Sequence, residues 1–253
     1  QFCNLTEVVV KKNDTEKTIK KKVKLATILG TYQSTLTDFK YLRKIWADTT
    51  EEERLLGVSM TGIMDNELTN GGCGDLDGML QRLRQVAVDT NKVWANSLGI
   101  PQSTAITCVK PSGTVSQLVD AASGIHPRHS KHYIRRVRGD KKDPLTQFLM
   151  DSGIPCEDAA GGVESKSTAV FSFPIEAPEG AMINDELTPI EHLELWLTYQ
   201  KHWCEHKPSI TITVREHEWL EVAAWVYKNF NFMSGVSFFP HSDAVYTQAP
   251  YEE

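Results

Sequence analysis

The chain lacks most of the short motifs that announce a chemistry. None of its five cysteines, Cys3, Cys73, Cys108, Cys156 and Cys204, lies in a CxxC pair. An odd, widely spaced set argues against both a disulfide framework and a structural zinc site. A catalytic or redox thiol among them stays open. There is no GxGxxG dinucleotide fingerprint and no GxSxG nucleophile turn. His202 and His206 have helical i, i+4 spacing but not the glutamate of an HExxH metalloprotease, so they read as a helix end whose imidazoles favour the C-terminal dipole. The Gly71-Gly72-Cys73-Gly74 cluster lacks the Lys-Ser/Thr ending of a P-loop, which leaves it a flexible loop. No apolar run approaches the ~18 residues of a membrane span and no charged-then-apolar leader is visible, so the expected location is the cytoplasm, with no membrane contact.

What is present is an ordinary globular composition. The 253 residues are 40% hydrophobic and 24% charged, enough for a sizeable core in one large domain or two small ones. A net charge of −6 excludes a surface built wholesale for direct nucleic-acid binding, although seven lysines fall within residues 11–24. Those lysines read as a solvated hairpin or helix start. The periodicity predicts strands over 2–10, 55–64, 104–109, 132–138, 168–173, 209–214 and 233–240. Helices are predicted over 23–46 (with a break near Gly30), 75–98, 115–122, 144–152, 189–206 and 218–229. Strands alternating with helices at short loop lengths indicate an α/β class with parallel crossovers. With no internal repeat, low-complexity tract or linker, the expectation is a single domain over residues 1–253.

The most informative stretch is residues 104–130, TAITCVKPSGTVSQLVDAASGIHPRHS. Its apolar start reads as a buried strand that stops at Lys110-Pro111. A tight Pro-Ser-Gly-Thr turn and a short helix follow. Unpaired backbone N–H groups at such a junction, two hydroxyls and the positive end of the helix dipole together suit an anion such as phosphate. Ser112 or Thr114 acting as a plain helix cap explains the turn equally well at this level. The cluster His126-Pro127-Arg128-His129-Ser130-Lys131-His132 is the densest cationic and imidazole group in the chain. It is a poor metal site, because the proline disfavours helix and no carboxylate or cysteine lies nearby. A solvated basic loop and contact with an anionic ligand both remain. Alternation along the first strand puts Cys3 and Glu7 on one face, where Glu7 could assist a thiol or simply be exposed. By residue type alone, Cys3 reads as a buried small residue.

Five stretches, FCNLTEVVV, KLATILGTYQSTLTDFKYLR, ERLLGVSMTGIMD, TCVKPSGTVSQLVDAASGIHPRHSKHYIRRVR and GVSFFPHSDAVYTQAPYEE, together resemble the ribonucleotide reductases, in particular the monomeric adenosylcobalamin-dependent ribonucleoside-triphosphate reductases. The resemblance runs along essentially the whole chain. It implies the C-terminal half of a ten-stranded α/β barrel, in which a thiyl radical activates the ribose and a cysteine pair reduces it. Cys3 matches one member of that pair. Ser112, Gly113, Thr114, Val115 and Ser116 match the loop that holds the substrate phosphates. Adenosylcobalamin is the implied cofactor, with His126 and Arg128 as candidate contacts and no histidine proposed as a cobalt ligand.

Several family features are missing from this sequence: the Asn-x-Cys-x-Glu radical loop, the first reducing cysteine and the C-terminal cysteine pair. Cys73, Cys108, Cys156 and Cys204 match none of them. The expectation is therefore that the chain, which begins at Gln1 within a strand, is part of a split or processed reductase that is inactive by itself. Its implied partners are a ribonucleoside triphosphate or diphosphate substrate, a second chain that completes the barrel, and a thioredoxin-like reductant. Two alternatives are a catalytic subunit that takes its radical from a separate metal-containing subunit, and a non-catalytic nucleotide-binding or scaffolding barrel fragment.

Overall fold

The computed structural model describes residues 2–113, 115–161, 166–241 and 247–252. The chain gathers into two compact units. The first comprises Gln1–Pro127, Gly180–Met182 and Glu186–His241; the second comprises Arg128–Glu179, Ile183–Asp185 and Ser242–Glu253.

The first unit is a run of parallel strands joined by helices. Strand β1 (Asn4–Val9) pairs with β2 (Leu56–Thr61), Asn4 opposite Leu56 and Val9 opposite Thr61. Residues 105–109 lie along the far edge of β2, with the Leu56 N–H bonded to the Ala105 carbonyl and the Val58 N–H to that of Ile106. That segment in turn receives the Ser209 N–H at the Val109 carbonyl, 2.7 Å, just before β6 (Thr211–Val214), which pairs with β7 (Ser237–Pro240). Helices α1 (Glu16–Gln33) and α2 (Lys44–Glu53), α3 (Leu76–Leu98), α6 (Pro189–His202) and α7 (Trp219–Asn229) make the crossovers. Their apolar faces and the strands form one core around Leu80, Leu83, Trp196, Tyr199, Trp203 and Ile212. The two large indoles also find acceptors inside it, Trp196 at the Pro208 carbonyl and Trp203 at that of Cys108.

Several boundaries differ from the pattern reading: the strand predicted over 104–109 is reduced to a bridge between Val58 and Thr107, the helix predicted over 115–122 ends at Leu118, and the strand predicted over 233–240 starts at Ser237. Helix α1 starts at Glu16 rather than near Val23, because Thr15 and Thr18 form a reciprocal capping box and Asp14 draws in Lys22 at 2.5 Å. Gly30 itself does not break it; the predicted 23–46 helix instead divides after Gln33, and α2 begins at Lys44. A β-carbon on Gly30 would meet Leu56 and the Thr6 methyl at 3.6 Å, ordinary contact, so the glycine sits comfortably in the packed face. Helix α6 ends at His202, so His206 leaves the helix and gives its Nε2 to the Leu56 carbonyl at 2.7 Å.

The second unit departs from the parallel pattern. Strands β3 (His132–Asp140) and β5 (Thr168–Glu176) are antiparallel, flanked by β4 (Cys156–Asp158) and β8 (Tyr251–Glu252) in the order β4-β5-β3-β8. Here, among the described residues, one α-helix, the short α5 (Pro144–Asp151), interrupts the strands, too little chain for a parallel crossover between each pair. Its centre is an aromatic group in which His129 stacks on Tyr251 at 5.5 Å and the Arg135 guanidinium lies 4.4 Å over the same ring.

Candidate active site

The first strand positions its thiol by alternation. Thr6, Val8 and Val10 turn inward against α1, which leaves Cys3, Leu5 and Glu7 on the opposite face. Cys3 is exposed there rather than buried as its residue type suggested. Neighbouring strands nonetheless desolvate its sulfur, which pushes the thiol above its ordinary range, while the Lys110 ammonium pulls it back. Cys3 is therefore a neutral S–H at physiological pH. Glu7 is half-desolvated, and burial pushes its carboxyl up as well.

A glycine keeps this thiol in place. A β-carbon on Gly57 of β2 would stand 2.9 Å from Cys3 Sγ, 2.3 Å from Leu5 Cδ2 and 3.3 Å from Cys108 Sγ. The two sulfurs thus flank one small space above Gly57. They cannot join. Strand β2 lies between the segments that carry them, so their backbones are about two strand spacings apart, roughly 9–10 Å, beyond the ~7 Å at which a disulfide closes. Cys108 is also fully buried, and its thiol is pushed up to about 12, chiefly by that burial. Cys204, raised well above the ordinary range by burial, is equally inert. All five cysteines are free.

Beyond Cys108 the chain turns through the Pro-Ser-Gly-Thr sequence into the one-turn helix α4 (Val115–Leu118). Gly113 takes φ +57° with open space where a side chain would be, a conformation that favours glycine and leaves room for close approach of a ligand. The Ser112 hydroxyl lies 3.0 Å from that of Ser123, and the Val115 N–H bonds the Ser112 carbonyl at 3.1 Å. Ser116 is fully buried and donates to the Gly113 carbonyl at 3.3 Å, so its hydroxyl shapes the turn from within. Val115 is exposed, and Thr114 lies outside the described residues.

The two candidate cofactor contacts are His126 and Arg128. The His126 ring is largely buried, with Nδ1 3.1 Å from the Ser123 carbonyl and Nε2 accepting the Thr211 N–H at 3.0 Å. Burial holds its imidazole below the ordinary range, and both nitrogens are occupied. His192 packs edge-on against it and bonds the Ile125 carbonyl through Nε2 at 2.8 Å. Arg128 is buried in the second unit. Among the described residues, no group of three His, Cys, Asp or Glu side chains is placed to hold a metal ion, and no helix is long and apolar enough to cross a membrane.

Sequence reasoning missed Gly57 and Lys110. A lone glycine inside an apolar strand does signal a close approach, but what approaches comes from two other strands and is invisible locally. Lys110 stands next to the phosphate turn, yet its charge acts on Cys3, 107 positions away in sequence (110 − 3).

These parallel strands, with the thiol on the first and the turn after the segment 105–109 that lies along β2, have the fold of a ribonucleotide reductase barrel. A solved B12-dependent, class II ribonucleotide reductase superposes on 99% of this chain and 38% of its own, with a TM-score of 0.82 and 24% identity. The chain is homologous to the adenosylcobalamin-dependent ribonucleoside-triphosphate reductases. It is 30% identical to that enzyme of Euglena gracilis over 100% of this chain and 34% of the relative. It is 33% identical to a probable enzyme of the same name in Dictyostelium discoideum, over 82% of this chain and 28% of the relative. The chain thus spans about a third of the length of the curated relatives it matches. No protein-family model matches it.

Proposed function

We propose that this chain is a working part of an adenosylcobalamin-dependent reductase that converts ribonucleoside triphosphates to 2′-deoxyribonucleotides in the cytoplasm. The observation that carries the reading is the exposed, protonated Cys3 thiol on the strand face that Gly57 keeps clear, in a fold whose segment 105–109 beside β2 runs into the phosphate-type turn. Cys3 serves as one reducing thiol. Residues 112–116 hold the substrate phosphates, with Gly113 allowing the closest approach and Ser116 fixing the shape of the turn.

Reduction at the ribose 2′ carbon takes two electrons and two hydrogens from a pair of thiols and leaves a disulfide. Cys108 cannot be the second member, for the geometric reason given above. The second thiol, the radical cysteine and a thioredoxin-like reductant come from elsewhere in the complete enzyme, through a further chain or segment that completes the barrel. Adenosylcobalamin enters this reading through the relatives' names. Of its two candidate contacts, His126 has both ring nitrogens hydrogen-bonded within the protein and Arg128 is buried.

The test is a reductase assay of the completed enzyme with a ribonucleoside triphosphate, adenosylcobalamin and a dithiol. Cys3→Ser is expected to abolish turnover while leaving nucleotide binding intact. Full turnover by the serine variant would reduce the chain to a nucleotide-binding scaffold.

A further inference from the structure

We infer that Lys11 and Asp65 are positioning residues for substrate phosphate, acting through the loop at residues 112–124 that they hold; the inference rests on the assignment of that loop to phosphate made above. Neither lies in the Pro-Ser-Gly-Thr sequence. Both stand at the ends of strands that run beneath it.

The loop is held at its rear by two strand ends. Lys11 follows β1, and its ammonium donates to the first two carbonyls after α4, those of Val119 and, at 2.7 Å, Asp120. These are the negative end of the short helix, where a cation is favoured. Asp120 itself takes φ +45°, an unusual conformation for a non-glycine residue. Asp65 follows β2 and is buried. Its Oδ2 accepts the Ala122 N–H at 2.7 Å, while the Ala122 carbonyl is taken by the Gly62 N–H at 2.7 Å and the Thr61 hydroxyl at 2.9 Å. The same hydroxyl oxygen accepts the Gly124 N–H at 2.9 Å. Gly62 is left-handed at φ +79°, and a β-carbon there would strike the Val10 carbonyl at 2.2 Å, so the β1 and β2 ends are locked together where they meet the loop.

The arrangement makes opposite predictions for two roles of Asp65. A carboxylate near an anion site repels the anion, so if Asp65 acted only through its charge its removal would tighten binding. If it acts by holding Ala122, and with it the turn, removal weakens binding although a negative charge is lost.

The experiment is calorimetric titration of this chain with inorganic tripolyphosphate, paired with thermal melting. The wild-type chain is expected to bind. Asp65→Ala is expected to bind about tenfold more weakly or worse, the scale of a lost charge-assisted hydrogen bond. Lys11→Met is expected to weaken binding similarly with little change in Tm, since Lys11 is exposed, and Lys11→Arg to restore it. Tighter binding by Asp65→Ala, or wild-type affinity in Lys11→Met, overturns the inference; should Asp65→Ala fail to fold, the Lys11 pair decides. Absence of tripolyphosphate binding by the wild-type chain is a different result: it removes the phosphate assignment of the loop, and the inference with it.

Discussion

At the residue scale, Cys3 is controlled by two neighbours with opposite effects. Packing around Gly57 desolvates the sulfur and favours S–H; the Lys110 charge favours thiolate. Removing the lysine charge raises the thiol pKa further, so Lys110→Met is expected to slow alkylation of Cys3 by iodoacetamide at pH 8 and to move its pH profile to higher pH. An unchanged profile would mean that Lys110 does not act on this sulfur. Gly57→Ala forces its methyl against Cys3 Sγ and Leu5 Cδ2 and is expected to cost roughly 1–3 kcal/mol, read from urea unfolding, and to change the alkylation rate of Cys3. A control at Gly99, where nothing stands within 4 Å but φ is +67°, separates backbone strain from collision.

At the element scale, what the sequence shows depends on whether the cause is local. Helix α6 is legible at its start but not at its end: Thr188 and Glu191 form the capping box and Pro189 takes the first turn, whereas the helix stops at His202, short of His206. Thr188→Ala should cost about 1 kcal/mol by thermal unfolding. Helix α3 is legible to its end, since its apolar stripe runs to a left-handed Gly99. The start of α1 was hidden by its lysines, which look like a solvated turn until Thr15 is seen to cap them. The antiparallel pairing of β3 with β5 was not legible, because strand direction is set by which partner arrives and not by alternation along one strand. The anion-type turn was legible as a shape; the holding of that turn by Lys11, Thr61 and Asp65 was not, since these sit 57 residues or more before the groups they bond.

The His126–His192 contact adds a pH dependence to the same region. His192 is held down to about 4 by burial, against an ordinary value of about 6.5. Below pH ~6.5 the unfolded chain takes up a proton that the folded chain does not, so stability is lost as pH falls from about 6.5 towards 4. His126, lowered in the same direction, adds to the loss. His192→Gln, which keeps a donor for the Ile125 carbonyl, is expected to flatten the dependence of urea midpoint on pH in that window. An equally steep dependence would place its origin elsewhere.

At the scale of the whole molecule, the resemblance to a much longer enzyme is written in the first unit's geometry. Among the described residues β1 pairs with β2 alone, and its outer side opens into a groove of about 920 Å³ lined by Thr6, Val8, Leu25, Leu29, Tyr32 and Leu36. Leu25, Leu29 and Leu36 are more than 60% exposed, an apolar face of the kind that marks an interaction site. At the far side, Phe230, Phe232 and Phe239 are exposed beside β7.

The one-sided pairing of β1 also makes its amide protons a reporter. In a parallel ladder alternate residues bond to each neighbour, so half of the β1 amides are held by β2 and half face the groove. The held set should exchange with deuterium slowly and the other set quickly. Docking of a strand from the rest of the enzyme would slow the second set while leaving the first nearly unchanged, a residue-resolved readout of barrel closure that requires no turnover.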